Sequence, residues 1–245
     1  VVLGSTGEAH LLSVDEHRRV LDFVREVNAD RLPLVAGFDS SGGTKAAAER
    51  LSALDARGLS GLLISAPAYI RPGQAGLIDH FKALDAVSPL PIVLYNVPSR
   101  TGVNLQPETI VELAHSGENI VALKQAHPDL EEFRAIRAGV PADFLILSGD
   151  DASAIPMMAL GGDGLVSVLG NAYPDVWAEA MDLALFGSVR EAEAMLTDQR
   201  MLMEIVCEEG NPTGIKAICE LLGLCRLFPR RPLQPATQPY RDALY

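Results

Sequence analysis

Short apolar runs recur along this chain at intervals of about thirty residues, with amphipathic segments between them. That period is the size of one strand–helix unit. Such units in tandem build a parallel sheet with helices outside it. The strand candidates are residues 1–3, 34–36, 62–65, 92–95, 120–124, 144–147 and 165–168. Helix candidates lie between them, near 14–28, 43–57, 74–87, 106–116, 129–138 and 151–160. A closed barrel of this kind has eight strands. The expectation is therefore an α/β chain, a TIM (β/α)8-type barrel whose first βα unit is missing from the sequence in hand. Beyond residue 168 the strand pattern stops. Residues 175–186, 189–207 and 212–222 read as helices, followed by a tail punctuated by Pro229, Pro232, Pro235 and Pro239. No Pro/Ser-rich linker divides the chain. One domain is expected, with the barrel in 1–174 and a helical region in 175–245 packed on it.

Composition narrows the partners. The 245 residues carry a net charge of −12, which argues against nucleic acid and anionic membrane surfaces. No apolar run reaches the eighteen or so residues that a membrane span needs. Cys207, Cys219 and Cys225 form no CxxC pair, so neither a disulfide framework nor a zinc site is expected. Packed thiols suit a reducing, cytoplasmic setting.

In such barrels chemistry gathers at the C-terminal ends of the strands. The run Ile120 to Leu123 has the character of a strand buried on both faces, and Lys124 ends it. Desolvation there disfavours the ammonium and frees an amine to attack a carbonyl, although a strand-end lysine can also snorkel to water. The other three lysines, Lys45, Lys82 and Lys216, fall in helix-like segments and read as solvated. After the first strand candidate, Gly4-Ser5-Thr6-Gly7-Glu8 offers backbone N–H groups and hydroxyls to an anion such as a carboxylate. Tyr69 and Arg71 lie on a loop between Pro67 and Pro72. Tyr95 closes the fourth strand candidate, where a phenol beside a cation can relay protons, and Arg100 on the following loop offers a bidentate grip on a carboxylate. Gly149 and Val166 are expected to leave room for substrate, and Asp150 or Asp151 to cap the nearby helix. His127 is the one histidine of five near this group. No metal cluster, Walker-type loop or nucleotide fingerprint is apparent, so no cofactor is expected beyond the lysine itself.

Five segments carry a family likeness: Gly-Ser-Thr-Gly-Glu (4–8), Tyr-Asn-Val-Pro-Ser-Arg-Thr-Gly (95–102), the strand ending in Lys124, Leu-Ser-Gly-Asp-Asp (147–151) and Gly-Asn-Pro-Thr-Gly-Ile-Lys (210–216). With them the chain resembles the dihydrodipicolinate synthase / N-acetylneuraminate lyase family of pyruvate-dependent class I aldolases. The resemblance implies a covalent imine of pyruvate on Lys124, with Ser5 and Thr6 holding the pyruvate carboxylate. It implies a proton relay of Thr6, Tyr95 and Tyr69, the last from a neighbouring subunit of a homodimer or homotetramer. Arg100, in its Ser-Arg-Thr-Gly setting, looks like the carboxylate binder of the synthase branch. That branch joins pyruvate to a small aldehyde, aspartate semialdehyde. The chain departs from the synthase pattern after the lysine, with Gln125-Ala126-His127-Pro128 where Glu-Ala-Ser/Thr-Gly is usual. Leu-Lys-Gln looks more like the sialic-acid lyase branch. An aldolase or dehydratase acting on a 2-keto-3-deoxy sugar acid or N-acetylneuraminate is the alternative, and a non-catalytic pyruvate-binding barrel is another. Val14, Lys45 and Ala68 fall near the positions that bind lysine in feedback-inhibited synthases, so weak or absent lysine inhibition is expected.

Overall fold

The recurring apolar runs become six parallel strands laid side by side in sequence order, each followed by a helix. The structure is a computed structural model that describes residues 1–244; Tyr245, the end of the expected helical region, lies outside them. The strands are β1 (Val35–Phe38), β2 (Gly61–Ser65), β3 (Ile92–Asn96), β4 (Ile120–Gln125), β5 (Leu145–Ser148) and β6 (Gly164–Leu165). Between them run α2 (Thr44–Ser52), α3 (Gln74–Asp85), the single turn α4 (Pro98–Thr101), α5 (Pro107–Ser116), α6 (Leu130–Gly139) and α7 (Ala154–Ala159). Helix α1 (Val14–Asn28) precedes β1, and its start is fixed by a capping box between Ser13 and Glu16.

Two expected strands shrink. The candidate at 1–3 forms only an isolated parallel bridge, Val2 to Ala36, because Leu3 turns into the left-handed region at φ 57°. Gly37 lets that turn approach: a Cβ there would lie 2.0 Å from the Leu3 carbonyl oxygen. The candidate at 165–168 pairs only over Gly164–Leu165, since the chain turns into a 3-10 helix at Leu169–Asn171.

Side-chain alternation divides the sheet's two faces. Leu62, Ile64, Ile92, Leu94, Leu123 and Ile146 pack with Leu77, Phe81, Ile110, Phe133 and other helix residues in one core. Fully buried side chains such as Phe81 and Phe133 contribute roughly 1.5–3 kcal/mol each through removal from water. On the opposite face Leu63, Tyr95 and Val97 form a smaller cluster against Val35, Val93 and Ala126.

After β6 come α8 (Pro174–Leu185), α9 (Val189–Met195), α10 (Arg200–Ile205), α11 (Thr213–Leu221) and α12 (Gln238–Ala243). The segment 189–207, expected as one helix, breaks at a 3-10 turn, Thr197–Gln199. Leu196 and Val206 on either side of the break both pack into a second apolar core with Trp177, Ile215 and Ile218. Of the three cysteines only Cys219 is buried; Cys207 and Cys225 are exposed, so the expectation that all are packed fails for those two.

Candidate active site

The pairing of β3 with β4 sets the centre of the site. Tyr95 lies opposite Lys124 and Asn96 opposite Gln125. Between Ile92 and Val93 the register shifts, so that Val93 meets Ala122 and Val121 is left as the extra residue. A one-residue slip exchanges the faces of every later side chain. The bulge therefore decides that Lys124 joins Tyr95 on the inner face while Gln125 turns toward the helices.

Lys124 is 8% exposed, and its Nζ sits 4.2 Å from the centroid of the Tyr95 ring. Burial first and the Arg100 charge second lower its pKa to about 8, with Asp151 opposing both. At that value about a tenth of the amine is neutral at pH 7, against well under a thousandth for a solvated lysine. A neutral amine is a nucleophile toward carbonyl carbon. Burial also pushes the Tyr95 phenol up, with the Ser5 hydroxyl and Arg100 opposing. Gly149 covers the lysine stem: a Cβ there would meet Lys124 Cε at 3.0 Å and Ala126 Cβ at 2.7 Å.

The Gly4–Glu8 turn is held to this centre by residues more than two hundred positions away. Asn211 Nδ2 donates to Thr6 Oγ1 at 2.9 Å, and the Asn211 carbonyl accepts from Arg100 Nη2 at 3.1 Å. Asn211 thus joins two expected site residues, a role that no local pattern signalled, although it lies in the Gly-Asn-Pro-Thr-Gly segment of the resemblance. Glu8 occupies a left-handed conformation at φ 57°, a cost of roughly 1–2 kcal/mol for a residue with a Cβ. It is nearly buried, ion-paired with Lys216, and accepts from the Arg230 N–H at 2.6 Å. Lys216 is accordingly no solvated helix lysine but a brace for the turn that carries Ser5 and Thr6.

The remaining expected residues separate. Val166 follows β6 and donates its N–H to the Ser148 carbonyl, next to Gly149. Asp150 accepts from Ser153 N at 3.0 Å, just before α7, as a cap would. Asp151 does something else: its Oδ2 accepts from Val168 N and Leu169 N at 3.1 and 3.0 Å, tying the end of β5 to the loop after β6. Burial raises its pKa against those bonds. Tyr69 stands apart from this group, 93% exposed on left-handed backbone at φ 76°. His127 Nδ1 lies 3.1 Å from Glu132 Oε2, off line for a hydrogen bond. His127, Asp129 and Glu132 bring ligand-capable atoms within 4.8 Å of one another. Asp129 already caps α6 by accepting from Glu131 N and Glu132 N, and Glu132 accepts from Asn104 Nδ2. Among the described residues no helix is long and apolar enough to cross a membrane.

Fold and site together define a class: a parallel α/β enzyme with a buried amine and a phenol near the C-terminal ends of its strands, and a guanidinium and hydroxyls on the adjoining turns. The chain belongs to the dihydrodipicolinate synthetase family, which matches residues 1–245. It is 38% identical over 244 residues to 4-hydroxy-tetrahydrodipicolinate synthase of Flavobacterium psychrophilum, covering 100% of this chain and 83% of that one. To 4-hydroxy-tetrahydrodipicolinate synthase 1 of Halalkalibacterium halodurans it is 39% identical over 237 residues, 97% of this chain and 80% of the relative. A solved structure of the chloride-inhibited dihydrodipicolinate synthase from Acinetobacter baumannii, complexed with pyruvate, superposes with a TM-score of 0.94 at 35% identity. That match covers 99% of this chain and 82% of the other.

Proposed function

We propose that this chain is a Schiff-base-forming lyase that condenses pyruvate with L-aspartate semialdehyde to 4-hydroxy-tetrahydrodipicolinate, on the route to lysine and diaminopimelate. One observation carries the proposal: a strand-end lysine, buried against a phenol and brought to about 8. The Lys124 amine attacks the keto carbon of pyruvate and water leaves, giving an imine on the protein itself with no cofactor or metal. Loss of a methyl proton gives an enamine, whose carbon attacks the aldehyde, and the aldehyde oxygen takes a proton to become the hydroxyl. The amino group of the aspartate semialdehyde then attacks the imine carbon and displaces the Lys124 amine, which closes the ring and frees the lysine. Ser5 and Thr6 receive the pyruvate carboxylate, Arg100 grips the carboxylate of the incoming aldehyde, and Gly149 and Val166 line the space between. Thr6 and Tyr95 pass the protons, together with Tyr69 of a neighbouring subunit.

The exposure of Tyr69 supports that last role, since a side chain 93% open to solvent is available to a second copy. A homodimer or homotetramer follows, and sedimentation velocity with the wild type and Tyr69→Phe tests it. Six parallel strands in sequence order support a (β/α)8-type barrel in 1–174, with 175–245 packed on it as a helical region of the same domain. Three free cysteines support a reducing, cytoplasmic setting. Val14, Lys45 and Ala68 are exposed, and neither Val14 nor Ala68 carries a polar side chain to hold an amino acid, which supports weak or absent inhibition by lysine.

Arg100 favours this aldehyde over a polyol substrate, which needs hydroxyl partners rather than a second carboxylate clamp. The test is a substrate panel with Arg100→Ala. Wild type is expected to turn over aspartate semialdehyde with pyruvate. The variant is expected to lose about a hundredfold in kcat/KM for the aldehyde while borohydride still traps pyruvate. Intact turnover in Arg100→Ala would remove Arg100 from the site. Preference of the wild type for a 2-keto-3-deoxy sugar acid or N-acetylneuraminate would move the chain to that branch.

A further inference from the structure

Directly behind the Tyr95–Lys124 pair lies a second cross-strand pair, Asn96 and Gln125, one residue further along each strand and on the opposite face. They are 1% and 0% exposed, in a layer filled mainly by apolar groups. Asn96 Nδ2 donates to Gln125 Oε1 at 2.9 Å and to Asn104 Oδ1 at 2.7 Å. Asn96 Oδ1 accepts from Leu105 N at 3.0 Å. Beyond them Asn104 Nδ2 donates to Glu132 at 2.8 Å, and His127 lies against the same carboxylate. Among the described residues the Gln125 Nε2 group has no partner. A buried amide with one arm unbonded is a poor choice for stability, because an apolar residue of similar volume avoids the desolvation cost. The sequence keeps that cost beside the two side chains the chemistry uses.

We propose that Asn96 and Gln125 are positioning residues: an amide clamp between the ends of β3 and β4 that fixes the Tyr95 phenol against the Lys124 amine. The last backbone bond between β3 and β4 runs from Ala126 N–H to the Asn96 carbonyl at 2.9 Å, one pair beyond Tyr95 and Lys124, and the ladder ends there. The Asn96–Gln125 side-chain bond ties the same end a second time from behind, and Asn104 and Leu105 hold Asn96 in turn. The clamp touches neither substrate nor imine. Its effect falls on the proton transfers between phenol and imine rather than on substrate affinity, since misplacement of reacting groups acts on kcat.

This rests on Lys124 forming the imine, and the test separates the two. Wild type, Gln125→Met and Gln125→Glu are compared in steady-state kinetics and borohydride trapping with pyruvate, each at its own pH optimum. Gln125→Met keeps the volume and loses the acceptor: kcat is expected to fall about tenfold with KM for pyruvate within about twofold. Gln125→Glu keeps an acceptor for Asn96 and is expected to recover kcat to within about threefold of wild type. Unchanged kcat in Gln125→Met, or equal loss in both variants, would overturn the clamp. Should Gln125→Met fail to fold, Asn104→Ala removes the next link from a half-buried position. A fall of about threefold in kcat with KM unmoved supports the clamp, and an unchanged kcat overturns it. A wild type that traps no pyruvate removes the assignment of Lys124, whereas a trapping wild type with an unaffected Gln125→Met removes the clamp alone.

Discussion

Two lysines of this chain are drawn out of water, one at the end of β4 and one on α11, and their surroundings set them to opposite tasks. Lys124 is buried among a phenol ring, a glycine and strand backbone, with the Arg100 charge nearby, and its pKa falls to about 8. Lys216 meets the carboxylate of Glu8 and donates to the Phe228 carbonyl, so its charge is answered at once. Desolvation without an ion-pair partner makes a nucleophile; desolvation with one makes a brace. The two are linked through the Gly4–Glu8 turn, which Lys216 holds at Glu8 and whose Ser5 hydroxyl bonds to Tyr95, the neighbour of Lys124.

The sharpest way to break this contrast is Lys124→Met. Loss of the amine is expected to cut turnover by at least about a thousandfold, yet to stabilise the fold by about 2–3 kcal/mol near pH 7. The sign follows from the lowered pKa. Below about 8 the folded state carries a buried ammonium that the unfolded chain holds in water. Between about 8 and the unfolded value near 10.4, the folded state gives up that proton first, so wild-type stability rises with pH across this window. Lys124→Met lacks that rise. Denaturant melts at pH 7 and pH 10 read both effects, and a destabilised variant would contradict them.

Lys216→Met should act the other way, leaving Glu8 nearly buried and short of a partner. A loss of about 1–3 kcal/mol is expected, discounted for the part of Lys216 that water still reaches. KM for pyruvate should rise several-fold as the Ser5–Thr6 turn loosens, with kcat much less affected. Unaltered melting would show that the brace is ornamental. The smallest effect is expected at Lys82, whose pair with Glu112 is 2.8 Å long but open to solvent on both sides. Lys82→Ala should change stability by less than about 1 kcal/mol and leave kinetics alone.

Much of this was legible in the sequence because strand and helix periods are local. The central strands fall within a residue or two of their expected bounds, and Lys124 and Tyr95 emerge near strand ends as their positions predict, with Arg100 just beyond β3 in the turn α4. What escaped depends on contacts remote in sequence. Lys216 looks solvated on its own helix, and only the packing of α11 brings it to Glu8. Asn211 carries no chemistry in isolation, yet it bonds Thr6 and Arg100 across 205 and 111 positions. The turn α4 read as loop, since four residues opening with Pro98 are too few for a helical period. The short first and last strand candidates failed because an apolar run says nothing about whether its neighbour continues the ladder.

The most direct test of the account is borohydride reduction in the presence of pyruvate, followed by peptide mass spectrometry over residues 119–135. The account predicts a reduced pyruvate adduct on Lys124, trapped faster as pH rises through about 8 and absent from Lys124→Met. A folded wild type that yields no adduct, or one whose adduct sits on Lys216, would contradict it.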